Sequence, residues 1–284
     1  MAYTTLIDVG SLQRQLGAPT LAILDCRFDL GRPDAGRTAF LEAHIPGARF
    51  ADLNADLAGP VTAHSGRHPL PPPEAFAQRL GALNVGNDSQ VVAYDESNGS
   101  FAARAWWMLR WLGHADVAVL EGGFAAWLAA GGALQAGLPP PGTRHFTPHV
   151  DPTAVLSSEQ VAAAVKDSQR LLVDARAAER YAGAVEPIDA VAGHVPGAVN
   201  HPFTGNLAPD GRFLPSHELR RRWEQRLAGA SPAKLIAMCG SGVTACHNLL
   251  SLEVAGLSGG KLYAGSWSEW IRDPNRPVRV GSNP

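Results

Sequence analysis

The sequence predicts an α/β protein built from two tandem copies of one unit, each copy a parallel sheet with helices on both faces. Short apolar runs alternate along the chain with amphipathic segments of helical spacing, which is typical of a parallel sheet covered by helices. Three short motifs also occur twice, in the same order and at nearly constant separation, which indicates a duplicated unit. A length of 284 residues is enough for two such units.

The repeated motifs are Asp-Xaa-Arg, His-Ile/Val-Pro-Gly-Ala and a motif that begins with glycine and ends with tryptophan. The copies are separated by 149 residues from Asp25 to Asp174, by 150 from His44 to His194 and by 143 from Gly122 to Gly265. A stretch rich in proline and glycine follows the first copy and is expected to be extended rather than helical. We therefore predict an N-terminal unit over residues 1–136, a linker over 137–157 and a C-terminal unit over 158–284.

The candidate nucleophile is Cys239, which follows the apolar run 234–238 and precedes a segment of helical spacing. The backbone N–H groups of a strand-to-helix loop, together with the helix N-terminus, stabilise an anion. We therefore expect Cys239 to be an ionised, nucleophilic thiolate. The alternative is a small buried cysteine at the end of a strand. The loop residues expected to surround the bound sulfur are Gly240, Gly242, Val243 and Thr244.

The equivalent loop of the first copy carries a carboxylate in place of the thiol. When residues 91–99 are aligned with residues 235–243, Asp95 takes the position of Cys239. A carboxylate cannot perform thiol chemistry, and we expect Asp95 to be hydrogen-bonded into its own turn. The C-terminal unit alone is therefore predicted to be catalytic.

Taken together, these motifs resemble the two-domain rhodanese family of sulfurtransferases. The resemblance covers nearly the whole chain: tandem His-Ile/Val-Pro-Gly-Ala motifs, an aspartate in the first loop, Cys-Gly-Ser-Gly-Val-Thr-Ala in the second and Gly-Ser-Trp-Ser-Glu-Trp near the end. It implies two tandem rhodanese-like domains. The second loop is similar to that of the 3-mercaptopyruvate sulfurtransferases, whereas thiosulfate-specific rhodaneses usually place cationic residues at the positions of Gly240 and Ser241.

The resemblance implies transfer of sulfane sulfur from 3-mercaptopyruvate through a Cys239 persulfide to a thiophilic acceptor such as cyanide, glutathione or thioredoxin. Thiosulfate:cyanide sulfur transfer is the alternative, and non-enzymatic persulfide carriage is a more distant one. The enolate of pyruvate that leaves from 3-mercaptopyruvate needs a proton. The family pattern implies a relay for it in which His68 polarises Ser241 and Asp52 orients His68. Taken alone, His68 would be a surface or structural histidine and Asp52 a helix cap or turn residue.

Binding of the donor's anionic group is expected at Arg180, which matches an arginine that family members use near the active cysteine. Its alternative role is an ion pair with Glu179 or Glu186. Mercaptopyruvate enzymes generally carry a second arginine shortly before the second His-Ile-Pro-Gly motif, and this chain has Ile188 there. Without this second cation, the carboxylate of 3-mercaptopyruvate would be held less firmly.

Other classes of protein are disfavoured by the sequence. Cysteine-dependent phosphatases need an arginine six positions after the nucleophile, and residue 245 is alanine. A net charge of −2 without a basic block argues against nucleic-acid binding. The chain lacks a run of about 18 apolar residues for a membrane helix, and its first residues lack a signal peptide pattern. Three cysteines without framework spacing indicate a reducing, cytoplasmic compartment. We expect a monomer that needs no metal or organic cofactor.

Overall fold

A computed structural model describes residues 2–96, 98–167 and 170–284 and shows two compact units. The first unit consists of Met1–Gly59, Leu70–Asp151 and Pro209–Phe213. The second consists of Pro60–Pro69, Pro152–Ala208 and Leu214–Pro284. The residues of the predicted linker are thus divided between the units after Asp151. A ten-residue segment from the N-terminal half of the sequence, Pro60–Pro69, belongs to the second unit.

The first unit has a five-stranded parallel sheet in the order β1-β5-β4-β2-β3. The strands are β1 (Leu6–Ile7), β2 (Leu21–Asp25), β3 (Ala48–Phe50), β4 (Gln90–Tyr94) and β5 (Val117–Leu120). The helices are α1 (Val9–Gln15), α2 (Ala35–Glu42), α3 (Pro73–Ala82), α4 (Ala102–Trp111) and α5 (Gly123–Ala129). Four of the five residues are buried in both β2 and β4, as expected for central strands that are covered by helices on both faces.

The second unit has a parallel sheet in the order β7-β6-β8-β9. Its strands are β6 (Leu171–Asp174), β7 (Val199–Asn200), β8 (Leu235–Met238) and β9 (Lys261–Leu262). Its helices are α6 (Ser158–Ala164), α7 (Ala178–Tyr181), α8 (Ser216–Leu227), α9 (Thr244–Val254) and α10 (Ser266–Trp270), with short 3-10 turns at Phe203–Asn206 and Pro232–Lys234.

The order of the second sheet reproduces β3-β2-β4-β5 of the first, so the sheets show the duplication that the motifs predict. At the position of β1, the second unit has a single parallel bridge between Val155 and Leu262. The predicted fold class, two α/β units with parallel sheets flanked by helices, is confirmed. No helix in the described part of the chain has both the length and the apolar character needed to cross a membrane.

The first two repeated motifs join a strand end to the following turn. In the second unit, Arg176 binds both carboxylate oxygens of Asp174 and donates to the carbonyl of Gly193, directly before the His-Val-Pro-Gly-Ala motif. The next residue, His194, stacks on Tyr181 with ring centroids 3.8 Å apart and hydrogen-bonds the Tyr181 carbonyl through Nδ1. The repetition of these residues therefore has a structural cause.

The first unit has the same arrangement. Arg27 binds the carboxylate of Asp25 and donates to the carbonyl of Ala43. His44 stacks on Phe40 with ring centroids 4.0 Å apart and contacts the Phe40 carbonyl through Nδ1. The two motifs thus perform one structural task twice.

A buried histidine makes the stability of the second unit depend on pH. His201 stacks on Trp223 with ring centroids 4.2 Å apart, and its Nε2 lies 3.0 Å from Oδ1 of Asn206. Burial lowers the pKa of His201 to about 4, because the charged imidazolium would be poorly solvated there. In the unfolded chain this pKa returns to about 6.5.

We expect the burial of His201 to lower the free energy of unfolding only at acidic pH. Its folded pKa lies below the unfolded value, so the unfolded chain binds the extra proton. The stability is complete above about pH 6.5 and falls between about pH 6.5 and 4, by up to about 3 kcal/mol. His201→Gln keeps a donor for Asn206 but cannot ionise. Urea midpoints measured from pH 7.5 to 4.5 should fall less steeply for His201→Gln than for the wild type, and parallel curves would contradict the assignment.

Candidate active site

Cys239 lies in the loop between β8 and α9, as the sequence predicts, and its side chain is buried. The N–H of Gly242 points at the sulfur, 3.2 Å from Sγ. The N–H of Cys239 donates to Oγ of Ser266 at 3.0 Å, and its carbonyl accepts from the N–H of Trp267 at 3.0 Å. The third repeated motif, which contains Ser266 and Trp267, therefore fixes the backbone of Cys239 through these two hydrogen bonds.

The two loop glycines have different tasks. Gly242 has φ +77°, and a Cβ there would lie 2.3 Å from the carbonyl oxygen of Ala264, so a side chain would both strain the backbone and clash. A Cβ at Gly240 would face two guanidinium groups. It would lie 3.2 Å from Nη2 of Arg67 and 3.7 Å from both terminal nitrogens of Arg180. Two cations therefore lie beside the residue that follows the nucleophile.

The other two predicted loop residues begin the helix. Val243 precedes Thr244, the first residue of α9. The N–H groups in the first turn of a helix have no acceptor within it, so they are available to a negative charge near the helix N-terminus. The loop thus has the features of an anion-binding turn around Cys239.

Ser241 and His68 lie together, although 173 positions separate them in the sequence. Oγ of Ser241 is 2.8 Å from Nδ1 of His68. Both residues are buried, at 7% and 4% exposure, so His68 is not a surface histidine. His68 lies in the segment Pro60–Pro69, which belongs to the second unit together with Ser241.

Asp52 belongs to the first unit, where it performs a local structural task. Its Oδ1 accepts hydrogen bonds from the N–H groups of Asn54 and Ala55, both at 2.8 Å. Its own N–H donates to Oδ2 of Asp56 at 2.8 Å. Asp52 is therefore a turn residue, as the alternative interpretation holds, and its role in the relay stays a prediction.

Arg180 is held by acidic partners in the segment that follows α7. Its Nη2 donates to Oε1 of Glu186 at 2.8 Å and to Oδ2 of Asp189 at 3.1 Å. The ion pair foreseen with Glu186 is thus present, while Arg180 also faces Gly240. Ile188 lies between the two acids in sequence, and its side chain is 44% exposed.

Arg67 and Asp189 are the site residues that the sequence analysis missed. Arg67 forms an ion pair with Asp189 through Nη1, and its backbone N–H donates to Oγ of Ser268 at 3.0 Å. The only local signal is that Arg67 precedes His68 in Gly-Arg-His. Arg67 lies neither in the Cys239 loop nor shortly before the second His-Val-Pro-Gly motif, the two regions in which the family pattern places cations.

The surroundings of Glu186 favour its ionised form. Burial raises the pKa of Glu186, but hydrogen bonds from Arg180 and from the backbone N–H groups of Asp189 and Ile188 outweigh this and hold it below its usual value. Glu186 also contacts Arg176 at 3.4 Å. Three arginines therefore face three carboxylates next to the loop. The arginines are Arg67, Arg176 and Arg180, and the acids are Asp174, Glu186 and Asp189.

The corresponding loop of the first unit contains its own anion. The carboxylate of Asp95 accepts hydrogen bonds from the N–H groups of Gly99 at 2.9 Å, Phe101 at 2.8 Å and Ala102 at 3.1 Å. The prediction that Asp95 is hydrogen-bonded into its own turn is confirmed. These N–H groups are used for structure, whereas in the second unit the N–H of Gly242 points at the sulfur of Cys239.

Among residues 2–96, 98–167 and 170–284, no cluster of three or more histidine, cysteine, aspartate or glutamate side chains is arranged to bind a metal ion. The chemistry of the described loop is that of a thiol beside hydrogen-bond donors and guanidinium groups.

Comparisons with known proteins agree with this geometry. Residues 8–130 and 157–273 each match the model of the rhodanese-like domain. The chain is 49% identical over 283 residues to a Pseudomonas aeruginosa protein named "Probable 3-mercaptopyruvate sulfurtransferase", covering 99% of this chain and 100% of that one. It is 37% identical over 280 residues to bovine thiosulfate sulfurtransferase, covering 95% of this chain and 92% of the bovine one.

The solved structures lead to the same family. SseA from Escherichia coli, described as a 3-mercaptopyruvate sulfotransferase, matches with a TM-score of 0.81 and 35% identity, covering 94% of this chain and all of SseA. The match extends over both units rather than over one of them. The chain therefore belongs to the rhodanese-like family and carries two copies of its domain.

Proposed function

We propose that this chain is a sulfurtransferase that takes sulfur from 3-mercaptopyruvate and passes it to a thiophilic acceptor through a persulfide on Cys239. The observation that carries the proposal is the buried pair of Ser241 and His68, whose Oγ and Nδ1 atoms are 2.8 Å apart. Ser241 lies two residues after the nucleophile in sequence. Relatives named for this activity support it. The function follows from the loop chemistry and not from the fold alone.

In the first half of the reaction, the Cys239 thiolate attacks the sulfur of 3-mercaptopyruvate. A sulfur–sulfur bond forms while the carbon–sulfur bond breaks, and the electron pair of that bond leaves with the pyruvate enolate. The product on the protein is a persulfide. The N–H of Gly242, already 3.2 Å from Sγ, is positioned to stabilise negative charge on it.

The enolate takes up one proton to become pyruvate. The hydroxyl of Ser241 can donate that proton, and His68 can replace it through the hydrogen bond between Nδ1 and Oγ. Asp52 is proposed to orient His68, as the family resemblance implies. Ser241 and His68 thus stabilise a leaving group that is a strong base.

In the second half, an acceptor attacks the outer sulfur of the persulfide and releases the Cys239 thiolate. Cyanide, glutathione and reduced thioredoxin are the proposed acceptors. A cytoplasmic location, expected from three cysteines without framework spacing, and a monomeric state are also part of this proposal.

Thiosulfate is the second candidate donor, because Arg67 and Arg180 provide positive charge beside Gly240. Thiosulfate is a dianion whose sulfite leaving group needs no proton, so it would use the cations but not the Ser241–His68 pair. The relative named thiosulfate sulfurtransferase, 37% identical, keeps this alternative open.

We expect kcat/KM for 3-mercaptopyruvate to exceed that for thiosulfate by at least about tenfold, with cyanide as acceptor in both assays. A tenfold ratio corresponds to about 1.4 kcal/mol, about the contribution of one hydrogen bond. Cys239→Ser should abolish turnover of both donors. A preference for thiosulfate would make the second candidate correct, and substantial turnover by Cys239→Ser would contradict the persulfide mechanism.

We expect Ser241→Ala to reduce kcat for 3-mercaptopyruvate by about 100-fold or more, in the range usual for the loss of a general acid. Turnover of thiosulfate should change much less, because sulfite leaves without a proton. His68→Gln, which keeps a hydrogen-bond donor but cannot relay a proton, should show the same selective loss. Equal losses with both donors would show that the pair supports the loop and does not transfer a proton.

A further inference from the structure

We propose that the second unit carries an anion-binding site on α8, distinct from the loop of Cys239, for a phosphate or diphosphate group that is free or part of a small organic molecule. The site is called here the α8 cavity. Its volume is about 630 Å³, and its lining residues include Leu171, Val199, Pro202, Arg221, Arg222 and Arg226. Binding there does not depend on the proposed sulfur transfer.

The polar wall of the α8 cavity is positively charged. Arg221, Arg222 and Arg226 line it from α8, and none of the described residues that line it is acidic. A volume of this size is typical of small-molecule sites. Guanidinium groups bind phosphate oxygens through paired, charge-assisted hydrogen bonds. The cavity therefore suits a small anion with several oxygen acceptors.

Arg221 lacks the acidic partner that its neighbour in the helix has. Arg220 pairs with Glu224, one turn further along α8, with Nε and Oε1 2.9 Å apart. The residue one turn after Arg221 is Gln225, which also lines the cavity and carries no charge. Within the described part of the chain, the exposed side chain of Arg221 forms no ion pair. Its charge is therefore available to an anion in the cavity.

Arg222 and Arg226 are also one helical turn apart, so two like charges are neighbours on this side of α8. Such a pair destabilises a helix. Arg222 is compensated by Glu218 at 2.7 Å, and its Nη1 donates to the carbonyl of Gly205 at 2.6 Å. Arg226 has no acidic partner among residues 2–96, 98–167 and 170–284. An anion in the cavity would offset the repulsion between the two arginines.

The opposite wall of the α8 cavity is apolar. Leu171 begins β6, Val199 begins β7, the outermost strand of the sheet, and Pro202 follows β7. A Cβ at Gly205 would have no atom within 4 Å, so the space beside this wall is open. An organic phosphate would place its apolar part here and its phosphate on the arginines, whereas an inorganic anion would use the arginines alone.

His201 also lines the cavity and provides a local probe of binding. Its ring stacks on Trp223, and its Nε2 lies 3.0 Å from Oδ1 of Asn206. Burial lowers the pKa of His201 to about 4, and the charges of Arg226 and Arg222 act in the same direction. The ring is therefore neutral near pH 7, and an anion bound beside it should change its NMR signals.

The first test measures the Kd of pyrophosphate and of ADP by calorimetry, at pH 7.5 and constant ionic strength. We expect Arg221→Gln and Arg226→Gln each to raise Kd for both probes at least about tenfold, because each loses a charge-assisted hydrogen bond. Arg220→Gln removes the same charge from a position paired with Glu224, and this matched control should bind like the wild type. Tighter binding of ADP would assign the site to an organic phosphate, and equal binding to the phosphate groups alone.

The second test locates the bound anion. In protein labelled at histidine, the His201 signals, assigned with His201→Gln, should shift as pyrophosphate is added to the wild type and to Arg220→Gln. For Arg226→Gln the same shift should need at least about tenfold more pyrophosphate. The melting temperature of Arg226→Gln should equal or exceed that of the wild type, because a like-charged neighbour is removed. Weaker binding then cannot come from unfolding.

Three results would overturn the α8 cavity as an anion site. One is the absence of binding of both probes to the wild type at millimolar concentration. Another is an equal loss of affinity in Arg220→Gln and Arg226→Gln, which would show that only the overall charge of α8 attracts the anion. The third is loss of binding in Arg180→Gln with no effect of Arg226→Gln, which would place the anion beside Cys239.

Discussion

The geometry of the second unit depends on the buried ion pair between Asp174 and Arg176. Both side chains are almost completely buried, so their charges must be satisfied within the protein. Arg176 binds Asp174 through two nitrogens, donates to the carbonyl of Gly193, contacts Glu186 and lies 4.8 Å from the ring centroid of Trp267. One side chain thereby connects a strand end, two turns and α10. Removing it would leave the buried carboxylate of Asp174 without its main partner.

This ion pair is connected to the loop of the nucleophile through Trp267. The N–H of Trp267 donates to the carbonyl of Cys239, and Glu186 positions Arg180. The first unit has the same frame, with Arg27 on Asp25 and the Phe124 ring 4.2 Å below the guanidinium. There the loop carries a carboxylate in place of a thiol. The frame is thus independent of the chemistry, because the same aspartate–arginine pair supports a hydrogen-bonded carboxylate in one unit and a thiol in the other.

The sequence analysis succeeded where the signal is local. The strand-to-helix turn at Cys239 and the structural use of Asp95 follow from a short run of residues and from alignment of the copies. His68 came from the family resemblance, since a histidine in a proline-rich segment has no periodicity or cap that would mark it. Arg67 was missed because its importance depends on Pro60–Pro69 belonging to the second unit, where Asp189 and Gly240 lie more than 120 positions away in sequence. A local sequence pattern does not indicate a contact between positions so far apart in the chain.

The same nonlocality limits what the loop sequence says about the donor. A loop without cationic side chains suggests a donor that needs none, yet Arg67 and Arg180 bring two guanidinium groups to Gly240 from outside it. What the loop itself supplies is the hydroxyl of Ser241, two residues after the nucleophile, and glycine, which leaves room for those groups. Positive charge alone would serve either donor, because both are anions. Under the proposed function, discrimination between the donors would therefore rest on the leaving group, because the pyruvate enolate needs a proton and sulfite does not.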